Sequence, residues 1–182
     1  MLSSVLVMLL SADAGVVLAP CKERQIICFS PGGECDIPLY MAIDTAKTTL
    51  DVAIYSLNRQ SVVDAILRAQ KRGVRVRLLL DSSQATQAKE RQLLYSMHDA
   101  GIEMRRDTHV GIMHWKLTVV DDNTFAIGSF NYTDPAVDSN DEYLMIWSCP
   151  RNALIFKAEF DKRWFAKTGF KDTTSWWPDA GL

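Results

Sequence analysis

From Asp36 onward the chain alternates helix-like and strand-like segments with only short breaks between them, and this order constrains the fold more than any other feature. Asp36 to Thr49 reads as a helix, with Asp36 as its N-cap and Pro38 in the first turn. Leu50 to Leu57 (LDVAIYSL) is rich in strand formers. Between Ser61 and Arg72, apolar Val62, Val63, Ile66, Leu67 and Ala69 recur at helical spacing, and Gly73 follows in the position that closes helices. Val74 to Asp81 (VRVRLLLD) reads as a strand whose alternation puts Val74, Val76 and Leu78 on one face and Arg75 and Arg77 on the other. A helix over 85–100 stops at Gly101, and IEMRR supplies a further short strand. Strands and helices in this order imply a sheet covered by helices.

The rhythm then changes. His114 to Val120 and Thr124 to Phe130 are strand-like runs joined by Asp121-Asp122-Asn123, which predicts an antiparallel hairpin. Alternation places His114 and Lys116 on one face with Thr118 behind them, puts Trp115 opposite, and gives Ser129 and Asn131 a shared parity on the second strand. Glu142 to Trp147 is a third strand, and Pro150 to Lys167 a closing amphipathic helix carrying Ala153, Phe156, Phe160 and Trp164.

With 182 residues, 48% of them hydrophobic and 23% charged, the chain has the composition of one ordinary globular domain, long enough to bury a core without disulfide staples. Its net charge of −2 supplies no global positive field of the kind that marks a nucleic-acid binder. The first ten residues, MLSSVLVMLL, are apolar and too few to span a bilayer, and Ala12-Asp13-Ala14 follows in a small-x-small pattern. The expectation is a signal peptide over 1–14 and a periplasmic or secreted product, with a membrane anchor as the alternative. An N-terminal segment (15–35), a main domain (36–170) and a tail (171–182) complete the division. Cys21, Cys28, Cys35 and Cys149 lack the tight pairing of zinc ligands, so no metal is expected; a local disulfide among the first three and buried free thiols both remain open.

The hairpin carries chemistry. Given three histidines, a Lys at +2 and an Asp at +7 of one of them arise by chance in about 1% of sequences at ordinary residue frequencies. Here His114-x-Lys116-x4-Asp121 is followed by Gly128-Ser129-Phe130-Asn131 and by Asn140-x-Glu142. Together these resemble the signature of the phospholipase D superfamily, above all its small single-motif members, the bacterial non-specific endonucleases. FSPGGEC, DVAIYSL, KRGVRVRLLLD and the final helix extend the resemblance over most of the chain after the leader. The cardiolipin-hydrolase or piRNA-nuclease branch is similar too, but carries a zinc-binding insertion whose ligand spacing is missing here. The resemblance implies an α/β fold, a mixed β-sheet flanked by helices on both faces, with one motif per chain.

Phosphodiester cleavage needs a nucleophile, a means of neutralising the phosphate oxygens, and an acid for the leaving group. The resemblance assigns nucleophilic attack to neutral His114, charge neutralisation to Lys116 and neutral phosphate contacts to Ser129 and Asn131, without a cofactor. Glu142 is the expected orienter of the imidazole, by the logic of hydrolase triads. Asp121, of opposite parity, is expected to support the site rather than touch phosphate. One motif leaves the acid unassigned, so a homodimer with two copies of His114 at one shared site is implied; His109 is the rival acid within one chain. The basic stretch RAQKRGVRVR, including Arg75 and Arg77, reads either as a patch tracking a nucleic-acid backbone or as a solvated helix end and strand edge. The expected activity is a metal-independent, sequence-non-specific endonuclease, with hydrolysis of phospholipid headgroups as the alternative.

Overall fold

The computed structural model describes Cys21 and residues 24–173. The expected signal peptide and the tail residues Trp176 and Trp177 lie outside them. The elements are β1 (Gln25–Ser30), α1 (Asp36–Asp44), β2 (Thr49–Ile54), α2 (Gln60–Lys71), β3 (Arg75–Leu80), α3 (Ala88–Asp99), β4 (Glu103–Asp107), β5 (Lys116–Val120), β6 (Thr124–Gly128), α4 (Asp134–Asp138), β7 (Glu142–Ser148), α5 (Pro150–Trp164) and β8 (Phe170–Asp172).

The eight strands of the described residues form one mixed sheet in the order β1-β7-β6-β5-β2-β3-β4-β8. The pairs β2–β3 and β3–β4 are parallel, as their helical crossovers require, and the remaining pairs are antiparallel. Strand alternation divides the core in two. Leu50, Val52, Ile54, Val76, Leu78 and Leu80 face α1, α2 and α3, while Ala53, Leu79, Leu117, Val119 and Phe125 face Ala153, Phe160 and Trp164 of α5. Helices on both faces of a mixed sheet are the expected class.

Several local expectations are corrected. Asp36 is not an N-cap but the first helical residue, buried, accepting hydrogen bonds from Arg59 Nε (2.9 Å) and Ser61 Oγ (2.8 Å). Helix α1 ends at Asp44, which frees 45–48 to turn into β2. The helix expected over 85–100 is divided: Gln84–Thr86 form a 3-10 turn, and α3 begins only at Ala88. The hairpin is as expected, with β5 and β6 in antiparallel register from Leu117↔Ile127 to Val120↔Thr124. Its turn puts Asp121 (φ 50°) and Asp122 (φ 54°) in the left-handed region, which Asp tolerates better than most residues.

The cysteines pair as Cys28–Cys35 and Cys21–Cys149. One bond is local to the first three cysteines; the other ties the segment ahead of β1 to the start of α5. Edge strand β1 and α4 were not anticipated. Ile26 and Cys28 of β1 pack inward, whereas Ile27 and Phe29 face the side of α5, which does not reach this end of the sheet. Phe29 and its register partner Tyr143 are exposed there at 68% and 44%.

Candidate active site

The strand directions bring the C-terminal ends of β1, β2, β3, β4 and β6 and the N-terminal ends of β5, β7 and β8 to one end of the sheet. In open α/β sheets this is where ligands bind, because the loops there carry exposed polar groups on a rigid base. Five of the candidate residues lie at this end. His114 lies two residues before β5, Lys116 opens it, Ser129 and Asn131 follow β6, and Glu142 opens β7.

Lys116 is 7% exposed, at the level of Ile54 on the neighbouring strand. Its Nζ donates to the His114 carbonyl at 3.0 Å and stands 4.9 Å from the centroid of the Tyr55 ring. Among the described residues it forms no ion pair. Burial pushes its pKa down, opposed at longer range by the charges of Glu142 and Asp81. The His114 imidazole is exposed to solvent and lies against Tyr55, ring centroids 4.6 Å apart and planes tilted by 59°. Desolvation and the neighbouring Lys116 hold its pKa below the usual histidine value, with Asp81 acting the other way, so the neutral form is favoured.

On the β6 side, Gly128 is required by close approach, since a Cβ there would overlap the carbonyl oxygen of Tyr143 on β7. Ser129 Oγ accepts the Tyr143 N–H at 3.1 Å, which leaves the hydroxyl proton free to donate outward. Asn131 Oδ1 is buried and has no hydrogen-bond partner among the described residues. Glu142 accepts from Asn140 Nδ2 at 3.3 Å and makes no hydrogen bond to His114. The orienting contact expected of it is therefore not made; its carboxylate faces the charge of Lys116 instead.

Asp121 belongs elsewhere. It sits at the far end of β5, where its carboxylate accepts from Lys47 N (2.8 Å), Thr48 N (2.8 Å), Thr48 Oγ1 (2.8 Å) and Thr49 N (2.9 Å). Burial opposes its ionisation, but these bonds outweigh it and hold the group below the usual carboxylate range. Its work is to fasten the hairpin turn to the entry of β2, at the end of the sheet away from the other candidate residues, so it takes no catalytic role.

Arg75 and Arg77 are likewise corrected as substrate contacts. Arg75 opens β3, about 17 Å from the strand's other end at 3.3 Å per residue. Arg77 is 2% exposed and bound to Asp51 (2.7 Å) and Asp161 (2.7 Å) beneath α5. Arg68 and Arg72 both pair with Asp44. The basic stretch is thus a helix end and the start of an interior strand rather than an open cationic track. His109 lies at the β4–β8 side, its ring 5.8 Å from Phe170 and its Nδ1 3.7 Å from Asp107, with no contact to His114 among the described residues. Trp115 packs toward the α5 core, as its parity predicts, with the Arg163 guanidinium 3.9 Å from its ring centroid.

Three contributors escaped the sequence reading. Tyr55 follows β2, donating its N–H to the Trp115 carbonyl at 2.9 Å, and its hydroxyl accepts from Gln84 Nε2 at 3.1 Å. Asp81, just past β3, accepts the Met113 N–H at 3.0 Å together with Ser83 N (3.0 Å) and Gln84 N (3.1 Å). Glu90 of α3 is 1% exposed and accepts from Ser56 Oγ (2.9 Å) and Leu57 N (2.9 Å), pinning the loop behind Tyr55. A polar residue at the C-terminal end of a parallel strand was the available signal for Tyr55 and Asp81; nothing local marked Glu90.

Residues 39–164 match the family model described as cardiolipin synthase, PLD-like domain. The chain is 33% identical over 123 residues to a mitochondrial cardiolipin hydrolase of Chlamydomonas reinhardtii, covering 67% of this chain and 54% of that protein. It is 33% identical over 125 residues to a phospholipase D of Rickettsia prowazekii, covering 69% and 60%. The chain therefore spans less than two thirds of the length of these relatives. Among solved structures it is similar to a phospholipase D family member, Nuc from Salmonella typhimurium, with a TM-score of 0.78, 30% identity, and coverage of 83% of this chain and 98% of that one.

Proposed function

The chain belongs to the phospholipase D superfamily, and from its site we propose that it is a phosphodiesterase, a sequence-non-specific endonuclease that cleaves DNA or RNA through a phosphohistidine on His114. The observation that carries this reading is Lys116. A buried ammonium with no carboxylate in ion-pair range among the described residues is costly unless an anion completes its surroundings, and at the same end of the sheet the free hydroxyl proton of Ser129 and the amide N–H donors of Asn131 suit phosphate oxygens.

In the proposed reaction, the lone pair of neutral His114 forms the N–P bond while the P–O bond to the leaving group breaks. Lys116, Ser129 and Asn131 stabilise the charge on the non-bridging oxygens. The departing alkoxide takes a proton from a second imidazole. That imidazole, now neutral, deprotonates water, which attacks phosphorus, releases a phosphomonoester and restores His114. Among the described residues none near His114 fills the acid's place, so we assign it to His114 of a second copy. The apolar band of Ile27, Phe29 and Tyr143 beside Glu142 supports self-association at this end of the sheet. The two disulfides favour an oxidising compartment, periplasmic or extracellular.

Hydrolysis of phospholipid headgroups is the second reading. Val110 and Ile112, exposed at 104% and 52% in the loop that leads to His114, would meet a lipid surface beside the site. The test offers single-stranded DNA, duplex DNA, RNA and phospholipid vesicles to the purified protein in excess chelator. Nucleic-acid cleavage under these conditions is expected. Cleavage of lipid alone would replace the first reading by the second, and loss of all activity in chelator would overturn the metal-independent chemistry.

A further inference from the structure

Among the described residues no carboxylate hydrogen-bonds to His114: Glu142 accepts from Asn140, and Asp121 lies at the far end of β5. What touches the imidazole is an aromatic ring. Tyr55 meets it at 4.6 Å between centroids and stands 4.9 Å from Lys116 Nζ, so one ring borders both the candidate nucleophile and the candidate phosphate-binding cation. The ring is itself fixed at three points. Its backbone N–H donates to the Trp115 carbonyl, its hydroxyl accepts from Gln84 Nε2, and the residues after it are clamped by buried Glu90 through Ser56 Oγ and Leu57 N. A strand-end side chain needs no such anchoring merely to fill space.

We propose that Tyr55 is the positioning residue of His114, setting the angle of the imidazole by ring contact and stabilising its cationic forms through the electron-rich face of the phenol. The inference rests on the phosphohistidine reading. When His114 attacks phosphorus its ring gains positive charge, and an aromatic face within about 6 Å attracts a cation that water does not fully screen. The same ring attracts Lys116, whose ammonium stands 4.9 Å from its centroid. The charged groups around His114 are Lys116, which disfavours its protonation, and Asp81, which favours it, with Glu142 acting on Lys116. Tyr55 adds a contribution of the same sign as Asp81.

The test uses the whole protein and bis(p-nitrophenyl) phosphate, whose leaving group needs no acid. Tyr55→Leu is expected to lower kcat about 10- to 100-fold with KM changed less than about threefold, because misplacement of a reacting group costs rate rather than binding. The acid limb of its pH profile should move to lower pH by about half a unit, the scale of an exposed cation–π contact. Tyr55→Phe keeps the ring and should restore most of kcat. A series of fluorinated phenylalanines at position 55 keeps the volume while draining the ring of electron density, so kcat should fall with each added fluorine, which gives an answer even if Tyr55→Leu does not fold. An unchanged kcat and pH profile in Tyr55→Leu, or a flat fluorine series, would overturn the inference. Full activity in His114→Ala would instead overturn the nucleophile assignment beneath it.

Discussion

The carboxylate of Asp81 accepts the backbone N–H of Met113 at 3.0 Å, so the residue before His114 is tied to the end of a strand 32 positions earlier. The same carboxylate reaches His114 electrostatically, opposing the burial and the Lys116 charge that hold the imidazole below its usual pKa.

Asp81→Asn keeps the side chain's size and an acceptor oxygen but removes the charge that favours imidazolium. The His114 pKa is therefore expected to fall further, moving the acid limb of the rate profile to lower pH. An NMR titration of the His114 C2 proton checks this directly, and an upward shift would show that the charge of Asp81 is not felt there.

Lys116→Met supplies the opposite sign. Losing the neighbouring ammonium should raise the His114 pKa, while kcat on any phosphodiester drops about 10²- to 10³-fold, the scale for removing one preorganised charge-stabilising donor. If instead the loss appeared only in KM, Lys116 would bind substrate without acting on the transition state.

Glu90 makes the fold sensitive to pH. Burial pushes its carboxyl up to about 7, against the hydrogen bonds from Leu57 and Ser56 that favour ionisation. A carboxyl whose pKa is raised on folding holds its proton more tightly in the folded state. Its destabilising contribution is absent below the ordinary carboxylate range and grows as pH rises from 4.5 to about 7, reaching on the order of 3 kcal/mol. Glu90→Gln can still accept from Leu57 and Ser56, so its thermal midpoint should decline less between pH 5 and pH 8 than that of the parent protein. Parallel declines would locate the pH sensitivity elsewhere.

The fold could be read from local patterns because it depends on strand periodicity, whereas the candidate site residues came from the motif and its resemblance to a family. The alternation of VRVRLLLD put Arg77 on the face opposite Val76 and Leu78, and that face is where it lies. What the pattern does not contain is the partner. A charged residue on a second face looks solvent-exposed until α5, starting more than 70 residues later, brings Asp161 and Lys157 over it. The same limit explains Glu142 and Tyr55. The analogy with hydrolase triads placed Glu142 beside the imidazole, but which residue meets that ring depends on how the end of β2 lies against the start of β5, a contact between residues 59 positions apart.

Arg75 and Arg77 follow from this correction. Arg77→Met would leave Asp51, 1% exposed, without its bidentate partner, and a loss of about 3–5 kcal/mol is expected in a urea unfolding series. Arg75→Ala, at the end of the sheet away from the site, should leave DNA cleavage within about twofold of the parent and the salt dependence of binding unchanged. A shallower salt dependence would restore Arg75 to the substrate path.

The two disulfides should differ in worth because they close loops of different length. The bond between Cys21 and Cys149 spans 128 positions and that between Cys28 and Cys35 spans 7. In the loop-entropy account the first constrains the unfolded chain by about 5 kcal/mol and the second by about 2 kcal/mol. Replacing Cys21 and Cys149 by serine should therefore lower the thermal midpoint more than replacing Cys28 and Cys35. The order of effects on activity is expected to reverse. Cys28 and Cys35 bracket Ser30, which pairs in register with Glu142 at the site end of the sheet, whereas Cys149 caps the start of α5 at the opposite end. Thermal melts and kcat on bis(p-nitrophenyl) phosphate, measured on both double variants, separate the two effects, and a larger loss of activity from the Cys21 and Cys149 pair would contradict this division.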